Sequence, residues 1–503
     1  MTVRDVLRSV AALVPVEARS ALDAPGLDAP CTGVVYDSRS VTPGSVFVAL
    51  QGLRADGAAF VPQAVAAGAA AVVASEGVAP AVGVAWLPVS EPRLALALLA
   101  AEFNGHPSRS MRVVGVTGTN GKTTTAYLVR AILEAAGIKC GLMGTVAYCI
   151  GDREIEAART TPEAPEVQGL LREMVDEACG ACVMEVSSHA LALRRVDGLQ
   201  FAAGVFTNLT RDHLDFHGNM ESYFTAKRRL FELLPPSAPA VVNLDDPRGA
   251  ALVDASETPV TYAIGKAADV TPGPLSYSLH GLAFDVRMPQ GVVHVKSTLV
   301  GKPNVYNILA AAAVTAAIGI PLDAIEKGMA GLKGVPGRFE VVSRPKDDIT
   351  VIVDYAHTDD ALRNLLETAR PMATRRLITV FGAGGQRDRT KRPLMGMVAA
   401  RLSDVVIITS DNPRGEDPAQ IIEEVMRGAE PETRQSNARV VTVVDRGEAI
   451  RRAVSEAAAG DVVLIAGKGH EKYQVIGGTT HPFDDVAVAR DALGTRRQTS
   501  GVG

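Results

Sequence analysis

Short apolar runs alternate with longer amphipathic stretches along the whole chain. In the first hundred residues the runs SVFVAL (45–50) and AAAVVAS (69–75) are separated by Ala-rich stretches with helical periodicity. Apolar runs of this length between polar or Gly/Pro segments are typical of buried strands. The polar segment AEFNGHPSRS (101–110) interrupts the pattern. We therefore predict a small α/β domain over residues 1–109.

The same alternation continues in the middle of the chain. Apolar runs recur at 111–116, 181–186, 202–209 and 239–246, and the helical pattern TTTAYLVRAILEAAG (123–137) follows the first of them. Strands that are apolar throughout are typical of parallel sheets covered on both faces. We predict a central domain over 110–340, with a mostly parallel sheet of the P-loop type and helices on both faces.

A third set of apolar runs begins at DITVIVDYA (348–356) and ends at DVVLIAGKG (461–469). Helical stretches separate these runs too, which predicts a doubly wound, Rossmann-like domain over 341–495. The last residues, 496–503, are small or polar, so we expect a disordered tail. The fold class is α/β with three domains, and polar motifs at strand ends are candidate ligand contacts.

Charge and composition narrow the function classes. The 51 basic and 56 acidic residues give a net charge of −5, so the chain lacks the positive footprint of a nucleic-acid partner. The N-terminus carries Asp5, and Pro15 interrupts its apolar run; neither a signal peptide nor a membrane span is expected. Five cysteines, an odd number, fit a reducing compartment. We expect a cytosolic monomer.

The segment from Gly115 to Thr124 follows a predicted strand and opens a predicted helix. Such a loop can close backbone N–H groups around phosphates at a helix N-terminus. The common eight-residue loop has Gly at the position of Val116, so this shorter TGTNGKT form indicates a narrower set of enzymes. The alternative is a Gly-rich turn that only caps a helix. The predicted ATP contacts are Gly118, Thr119, Asn120, Gly121, Lys122, Thr123 and Thr124, with Lys122 at the β/γ-phosphates and the Thr123 hydroxyl on Mg²⁺.

Two further polar segments contain candidate metal ligands. Glu185 ends an apolar run, where a carboxylate could hold Mg²⁺ or simply cap a turn. The segment 207–218, TNLTRDHLDFHG, places two His and two Asp within six positions. Zinc is the rival ion there, but Mg²⁺ suits a nucleotide enzyme better and no cysteine accompanies these side chains. Lys227 lies in a basic run that would ordinarily be a solvated helix face.

The segments TGTNGKT, EVSSHAL, TNLTRDHLDFHG and TAK, in this order and spacing, resemble the Mur ligase family. The similarity extends over the whole chain and includes DSR (37–39), RTTP (159–162), KPNVYN (302–307), PGRFEVV (336–342), DYAH (354–357), FGAGGQRD (381–388), DNPR (411–414) and GKGHEKYQ (467–474). Within the family these motifs look like those of the enzymes that add the third amino acid. The resemblance implies an ATP-dependent carbon–nitrogen ligase of peptidoglycan synthesis, with two Mg²⁺ ions. Its substrates would be ATP, meso-2,6-diaminopimelate and UDP-N-acetylmuramoyl-L-alanyl-D-glutamate.

The resemblance also assigns roles to individual positions. The N-terminal domain would hold the UDP-sugar, the central domain ATP and metals, and the C-terminal domain the amino acid. Catalysis would involve Lys122, Lys227, His213 and Glu185. Lys227 would be carbamylated, and the metal ligands would be Thr123, Glu185, His213 and Lys227. Further ATP contacts would be Asn304, Arg338 and Asp354. The UDP-muramyl dipeptide would contact Tyr36, Ser38, Arg54, Thr160, Thr161, Ser187 and Arg195.

The amino acid to be added depends on the segment Asp411–Arg414. Diaminopimelate has one carboxylate more than lysine, and a guanidinium binds a carboxylate through two parallel N–H bonds. Arg387 and Arg414 therefore favour diaminopimelate, with Glu471 receiving the distal ammonium; Arg414 could instead cap a surface turn. The predicted site comprises Arg387, Asp411, Asn412, Pro413, Arg414, Gly467 and Glu471.

Other functions remain open from the sequence. A lysine-adding ligase or a folylpolyglutamate synthetase would keep the reaction class, and a P-loop NTPase acting as a switch or binding protein would not. A catalytically silent scaffold would keep only the fold. Two positions depart from the family pattern: Asp359 stands where proline is common, and Arg159 where asparagine is. They concern the contacts with ATP and with the muramyl dipeptide.

Overall fold

The computed structural model describes residues 1–52, 55–81, 83–278 and 281–500. The N-terminal part forms a four-stranded sheet in the order β1-β2-β3-β4, and every neighbouring pair is parallel. Its strands are β1 Gly33–Val35, β2 Ser45–Val48, β3 Ala71–Ser75 and β4 Ala85–Val89, and its helices are α1 Val3–Arg8, α2 Val61–Ala66 and α3 Pro92–Phe103. The two apolar runs predicted as strands are β2 and β3, both buried because helices pack on the sheet.

The central sheet has eight strands in the order β12-β11-β10-β5-β9-β6-β7-β8. Its strands are β5 Arg112–Thr117, β6 Cys140–Met143, β7 Ala147–Ile150, β8 Arg153–Glu156, β9 Ala181–Glu185, β10 Ala203–Phe206, β11 Ala240–Asn243 and β12 Pro259–Tyr262. Its helices are α4 Lys122–Ala135, α5 Ala164–Asp176, α6 Ser188–Ala192, α7 Leu214–His217, α8 Met220–Glu232 and α9 Gly249–Asp254. Only the pairs β6–β7 and β7–β8 are antiparallel, which confirms the mostly parallel sheet.

A small antiparallel sheet follows and was not predicted. It consists of β13 Thr271–Pro272, β14 Ser276–Ser278, β15 Gly281–Met288 and β16 Gly291–Ser297, followed by helices α10 Lys302–Ala317 and α11 Leu322–Gly331. β15 has a regular alternation of buried and exposed residues because only one of its faces is covered. α10 is buried on nearly all sides, and its many alanines allow it to pack against α4, α11 and the sheets.

The C-terminal sheet has the order β17-β18-β22-β19-β20-β21, and only β17 is antiparallel. Its strands are β17 Glu340–Val341, β18 Thr350–Asp354, β19 Leu377–Phe381, β20 Val405–Ile408, β21 Arg439–Thr442 and β22 Val462–Ala466. Its helices are α12 Asp359–Ala369, α13 Lys391–Leu402, α14 Pro418–Ser436, α15 Arg446–Glu456 and α16 Asp485–Ser500. The apolar runs predicted between residues 348 and 469 correspond to β18 to β22, and β17 straddles the predicted domain boundary at 340/341.

The tail prediction is wrong for residues 496–500, because α16 continues through Ser500. Arg496 pairs with Asp348 at 2.6 Å, and Arg497 pairs with Asp347 at 2.7 Å. These ion pairs fasten the end of the helix to the loop that precedes β18. Residues 501–503 lie outside the described part. Among the helices that the structure describes, none is long and apolar enough to cross a membrane.

Candidate functional site

The loop between β5 and α4 packs closely against neighbouring side chains at two glycines. Gly118 and Gly121 have φ of 147° and 86°, values that favour glycine. A Cβ on Gly118 would lie 1.8 Å from Thr207 Oγ1, and one on Gly121 would lie 2.4 Å from Asn307 Oδ1. A larger residue at either position would therefore clash with the Thr207 or the Asn307 side chain. This loop precedes α4, as the sequence predicts, and a helix N-terminus favours a bound anion.

Two lysine side chains converge on the carbonyl of Gly118. Lys122 Nζ donates to the carbonyls of Gly118 and Thr119 at 3.0 and 2.8 Å, and Lys227 Nζ donates to Gly118 at 2.7 Å. Lys227 is only 1% exposed and lies over the Tyr223 ring at 4.5 Å. Burial, followed by the charge of Lys122, holds the pKa of Lys227 well below its usual value. The helical lysine that looked like a solvated residue is therefore a buried amine beside the phosphate loop.

Glu185 ends β9 and is fully buried. Its Oε1 accepts from the Thr145 backbone N–H at 2.8 Å, and its Oε2 accepts from the Thr145 hydroxyl at 3.0 Å. A Cβ on Gly144 would lie 2.6 Å from Glu185 Oε1, so the 144–145 turn is fitted to this carboxylate. Each oxygen keeps a free lone pair for a cation, and the turn fixes the direction of the carboxylate.

Asp212 lies between two imidazoles, one from the central and one from the C-terminal part. His213 Nε2 is 3.4 Å and His357 Nε2 is 3.7 Å from Asp212 Oδ2. Burial alone would raise the pKa of Asp212, but the hydrogen bond from His357, together with nearby positive charge that includes Lys391, holds it well below its usual value. Burial lowers the pKa of His213 to about 2, so its ring is neutral and can act as a ligand.

The predicted ATP residues of the C-terminal side reach the phosphate loop. Arg338 Nη2 donates to Thr123 Oγ1 at 3.0 Å, and the Arg338 guanidinium lies 4.4 Å from the Tyr355 ring. Asp354 does not contact the loop directly; it accepts from the backbone N–H groups of Phe339 and Ala356, both at 2.7 Å. It thus orients the turn that carries Arg338.

Asn304 supports the loop through a neighbour. Its Oδ1 accepts from Asn307 Nδ2 at 2.9 Å, and Asn307 is the residue that approaches Gly121. A contact that the sequence did not indicate also joins the central part to the C-terminal part, because Asn120 Nδ2 donates to Asp360 Oδ2 at 3.0 Å. The phosphate loop is thereby in contact with the first turn of α12.

The predicted muramyl-dipeptide residues fall into two groups. Thr160, Thr161, Ser187 and Arg195 lie together: Thr161 Oγ1 donates to the Glu185 carbonyl at 2.8 Å, and Arg195 Nη1 donates to the Thr161 carbonyl at 2.9 Å. Tyr36 and Ser38 lie on the N-terminal part, where the Tyr36 hydroxyl donates to Glu166 at 2.9 Å and Ser38 Oγ donates to Gln63 at 3.0 Å. Arg54 lies outside the described residues.

Arg159, which departs from the family pattern, joins a charged cluster on Glu163. Glu163 accepts from Arg159 at 3.1 Å, and its carboxylate is also 2.7 Å from Arg195 and 3.6 Å from Arg93. Three guanidiniums around one carboxylate leave an excess of positive charge facing the adjoining space. That excess favours an anionic ligand on this side.

The predicted amino-acid residues form one interlocked set of loops after β19, β20 and β22. Arg414 has φ 54°, and its Nη1 donates to the Gly385 carbonyl at 2.7 Å. A Cβ on Gly385 would lie 1.9 Å from the Pro413 carbonyl oxygen, so these two loops pack at backbone distance. Asn412 Nδ2 donates to Glu471 Oε2 at 2.9 Å, and Arg387 is exposed beside them.

Sequence reasoning missed two cations beneath these loops. Lys468 is fully buried and donates to Glu471 Oε2 at 3.0 Å and to Asn412 Oδ1 at 3.2 Å. Arg446 is fully buried as well and pairs with Asp485 at 2.7 Å. The GKGHE motif contains Lys468, which could have been noticed there. Arg446 has no local signal, because its partner is 39 positions away in the chain.

Sequence reasoning also missed the hairpin of β23 Tyr473–Ile476 and β24 Thr479–Pro482. Gly477 and Gly478 form its turn with φ of 57° and 82°, as a tight hairpin requires. Val475 N donates to Asn412 Oδ1 at 3.0 Å, and Arg414 N donates to the Val475 carbonyl at 2.9 Å. The hairpin therefore fixes the loop that carries Asn412 and Arg414.

A cavity of about 880 Å³ brings two of the predicted groups together. The predicted residues that line it are Thr160, Thr161, Ser187, Arg195, His213, Arg387, Asp411, Asn412, Arg414, Gly467 and Glu471. The lining does not include the phosphate-loop residues, Glu185, Lys227, Tyr36, Ser38, Asn304, Arg338, Asp354 or Pro413. One space thus runs from the Thr160–Arg195 side to the Arg414 side, with Asp212 and His213 in its wall.

No group of three His, Cys, Asp or Glu side chains suited to a metal ion exists within the described residues. A Mg²⁺ ion at Glu185, Thr123 or His213 would need oxygens from another source, and ATP phosphates supply such oxygens. The oriented Glu185 carboxylate and the neutral His213 ring fit an ion of this kind. A zinc site made only of these protein side chains does not fit.

Three family models match the chain along most of its length. Residues 30–104 match the model described as the Mur ligase family, catalytic domain; residues 116–315 match the Mur ligase middle domain; and residues 337–469 match the Mur ligase, glutamate ligase domain.

Curated relatives match over nearly the full length. A protein of Gloeobacter violaceus named UDP-N-acetylmuramoyl-L-alanyl-D-glutamate--2,6-diaminopimelate ligase is 49% identical over 484 residues, covering 95% of this chain and 97% of its own. A protein of Solibacter usitatus with the same name is 48% identical and covers 92% of this chain and 93% of its own. A solved structure of a ligase so named has a TM-score of 0.68 at 34% identity and covers 99% of both chains.

Proposed function

Because the chain belongs to the Mur ligase family, we propose that it is an ATP-dependent ligase that joins meso-2,6-diaminopimelate to UDP-N-acetylmuramoyl-L-alanyl-D-glutamate. The relatives reported above are named as ligases of 2,6-diaminopimelate and this UDP-linked substrate. The product would be the UDP-linked tripeptide of peptidoglycan synthesis. The observation that carries the proposal is the single cavity that joins the Thr161–Arg195 side to the Arg414 loop. An acyl acceptor and an amine donor can meet in such a space.

ATP activates the carboxylate of the D-glutamate side chain. A carboxylate does not react with an amine in water because its leaving group is poor. The γ-phosphoryl group therefore passes to a carboxylate oxygen: the bond to ADP breaks and an acyl phosphate forms. Lys122 and the loop N–H groups neutralise the phosphates, so the contribution of the protein is mainly positioning and electrostatics.

Thr123, Glu185 and His213 would hold Mg²⁺ together with ATP oxygens. Lys227 would hold a second Mg²⁺ after its neutral amine has reacted with CO₂ to form a carbamate. When bound, Mg²⁺ neutralises the charge on the transferred group. The support for Lys227 is its burial, its lowered pKa and its position at the Gly118 carbonyl.

The Arg414 loop selects the amine. Arg414 has donors left after its bond to Gly385, and Arg387 is exposed beside it. Two guanidiniums would bind the distal carboxylate of diaminopimelate, and Glu471 would accept from the distal ammonium. L-Lysine has no such carboxylate, and the two arginines would remain unpaired against it.

The reacting amine then attacks the acyl carbon. A carbon–nitrogen bond forms, the carbon–oxygen bond to phosphate breaks, and phosphate leaves with one amine proton lost to solvent. ADP, phosphate and the tripeptide are the products. The contacts of Asn120 with Asp360 and of Thr123 with Arg338 close the C-terminal part over the phosphate loop for this step.

The test is ADP release by the purified chain with Mg²⁺, ATP and UDP-N-acetylmuramoyl-L-alanyl-D-glutamate, comparing meso-diaminopimelate with L-lysine. We expect turnover with diaminopimelate and little with lysine. Hydroxylamine should trap the acyl phosphate as a hydroxamate when no amine is present. Turnover with lysine alone would overturn the specificity, and ATP hydrolysis that is independent of both substrates would favour an NTPase.

A further inference from the structure

Lys391, the first residue of α13, is a cation whose role the proposed reaction leaves unassigned. It is 8% exposed and lines the 880 Å³ cavity together with Asp212, His213 and Arg387. Across the described ranges of the chain, its ammonium has neither a hydrogen-bond nor an ion-pair partner. Its stem is therefore packed in protein while its charged end faces the cavity.

The neighbouring cations of the same segment are paired. Arg392 is fully buried, and Glu416 and Glu424 accept from it at 2.9 and 2.8 Å. Arg389 forms an ion pair with Glu424. Lys391 alone of these three is left without an anion, although a cation at a helix N-terminus is unfavourable. Burying an unpaired charge is costly, so an anionic ligand is the expected partner.

The two nearest carboxylates lie against other groups, although Asp388 Oδ2 is buried and accepts no hydrogen bond within the described structure. Asp212 lies against His213 and His357, and its Oδ1 accepts from the His213 N–H at 2.9 Å. Asp388 Oδ1 accepts from the Thr390 N–H at 2.9 Å, and its Oδ2 lies 3.8 Å from Arg211. Asp212 is close enough for the Lys391 charge to lower its pKa. It is not close enough to form an ion pair with Lys391.

The position of Lys391 in the cavity indicates which anion it meets. Arg387 and Arg414 are available for the carboxylate of the amino acid. Lys391 lies in the same cavity wall as Asp212 and His213. The segment that contains Asp212 and His213 is hydrogen-bonded to the phosphate loop, because Thr210 N donates to Thr119 Oγ1 at 3.0 Å. The anion expected on this side is therefore the phosphoryl group.

We infer that Lys391 is a further catalytic residue, whose ammonium contacts the phosphoryl group as it passes from ADP to the D-glutamate carboxylate. The inference rests on the proposed function. The P–O bond to ADP breaks and the P–O bond to the carboxylate forms, and the step transfers no proton to or from Lys391. Because Lys391 belongs to the C-terminal part, the phosphoryl group is neutralised from both sides only when that part faces the phosphate loop.

The experiment compares wild type, K391M, K391R and a control, K327M, in which an exposed lysine of α11 is changed in the same way. Product formation gives kcat and the KM for diaminopimelate. Hydroxamate formation without diaminopimelate reports the phosphoryl step alone. We expect K391M to lower kcat and the hydroxamate rate together by about 100-fold or more, as loss of a charge-stabilising donor does. The KM for diaminopimelate should change by less than about 3-fold. K391R should keep activity within about 10-fold of wild type, and K327M should match wild type.

Three results would overturn the inference. The first is a K391M kcat within about 3-fold of wild type. The second is a raised KM for diaminopimelate with an unchanged hydroxamate rate, which would place Lys391 on the amino acid. If K391M does not fold, K391Q takes its place in the comparison. The third overturning result is then equal activity of K391Q and K391R. Absence of product from wild type would instead refute the proposed ligase itself.

Discussion

Arg446 and Asp485 form a fully buried, two-pronged ion pair beneath the amino-acid loops. Arg446 Nε and Nη2 donate to the two Asp485 oxygens, each at 2.7 Å. Arg446 Nη2 also donates to the Ala466 carbonyl at 2.9 Å, and Nη1 lies 3.5 Å from the Ser410 carbonyl. Ala466 and Ser410 immediately precede Gly467 and Asp411. The pair therefore joins the first turn of α16 to the ends of β20 and β22.

R446M should lower the free energy of unfolding by about 3–5 kcal/mol, because it leaves the Asp485 carboxylate buried and unpaired. Urea unfolding measures this change. The control is R451M on the same helix, where the exposed Arg451 is 3.9 Å from Asp445, and it should cost less than about 1 kcal/mol. The double variant R446M/D485L should recover much of the loss. Equal stability of R446M and R451M would contradict the importance of the pair.

Arg414 should determine the affinity for diaminopimelate. Charge-assisted hydrogen bonds contribute about 1.5–3 kcal/mol, so R414M should raise the KM for diaminopimelate by about 10- to 100-fold. The KM for ATP should stay the same, because Arg414 lies on the loop away from the phosphates. R414K should not restore binding, since an ammonium lacks the planar pair of donors.

The control for Arg414 is R427M, which removes a cation that is 68% exposed on α14. Steady-state kinetics with each substrate varied in turn would separate the effects. A rise in the KM for the UDP-linked substrate, with diaminopimelate unaffected, would assign Arg414 to the other reactant.

The sequence predicted those parts of the site that local chemistry determines. Gly118 and Gly121 were found because a phosphate loop requires backbone that only glycine tolerates between a strand and a helix. The parallel sheets followed from apolar runs of strand length. The hairpin Tyr473–Pro482 was missed because its strands are short and mostly exposed, and its apolar signal is weak.

Other features depend on contacts between distant segments. Lys227 looked like part of a solvated basic face, but its burial follows from packing against the loop at Gly118, 109 positions away. Lys391 and Arg392 are adjacent, yet one has two carboxylate partners and the other none. Only the arrangement of α13 against α14 makes that difference, and no local pattern records it.

His470 should make stability depend on pH. Burial, followed by the charge of Arg338, lowers the pKa of His470 to about 3, and within the described structure its Nδ1 is buried without a partner. Between pH 6.5 and 3 the unfolded chain binds a proton here and the folded chain does not. His470 therefore does not reduce the free energy of unfolding above pH 6.5. As the pH falls from 6.5 towards 3, it lowers the free energy of unfolding by up to about 1.4 kcal/mol per pH unit.

Urea unfolding of wild type and H470Q between pH 7.5 and 4.5 would test this. H470Q should lose stability less steeply as pH falls below 6.5. H294Q is the control, because His294 is exposed and its hydrogen bond to Asp285 raises its pKa. If the free energy of unfolding depended on pH in the same way for wild type and H470Q, His470 would have the same pKa in the folded and unfolded chain.

Asp359 should tolerate a proline, the residue that the family resemblance leads us to expect at this place. It is the first residue of α12, where a proline loses no helical hydrogen bond. Thr358 before it has φ −123° and ψ 160°, which suits the residue preceding a proline. Asp359 Oδ1 is buried and, in the described structure, has no hydrogen-bond partner. D359P should therefore raise the free energy of unfolding by about 0.4–1 kcal/mol.

The variant D359A separates the effect of restraining the backbone from the effect of removing the carboxylate, because it removes the carboxylate without restraining the backbone. Burial, with a contribution from the charge of Asp359, raises the pKa of Asp360, so both variants should lower that pKa. Asp360 accepts from Asn120 of the phosphate loop at 3.0 Å, and a lower Asp360 pKa favours the charged acceptor, which should hold Asn120 more firmly. We expect D359P to be more stable than D359A, and both to keep the KM for ATP at or below the wild-type value. A D359P less stable than D359A would mean that the start of α12 cannot accept the proline ring, and that the aspartate is needed for the local backbone.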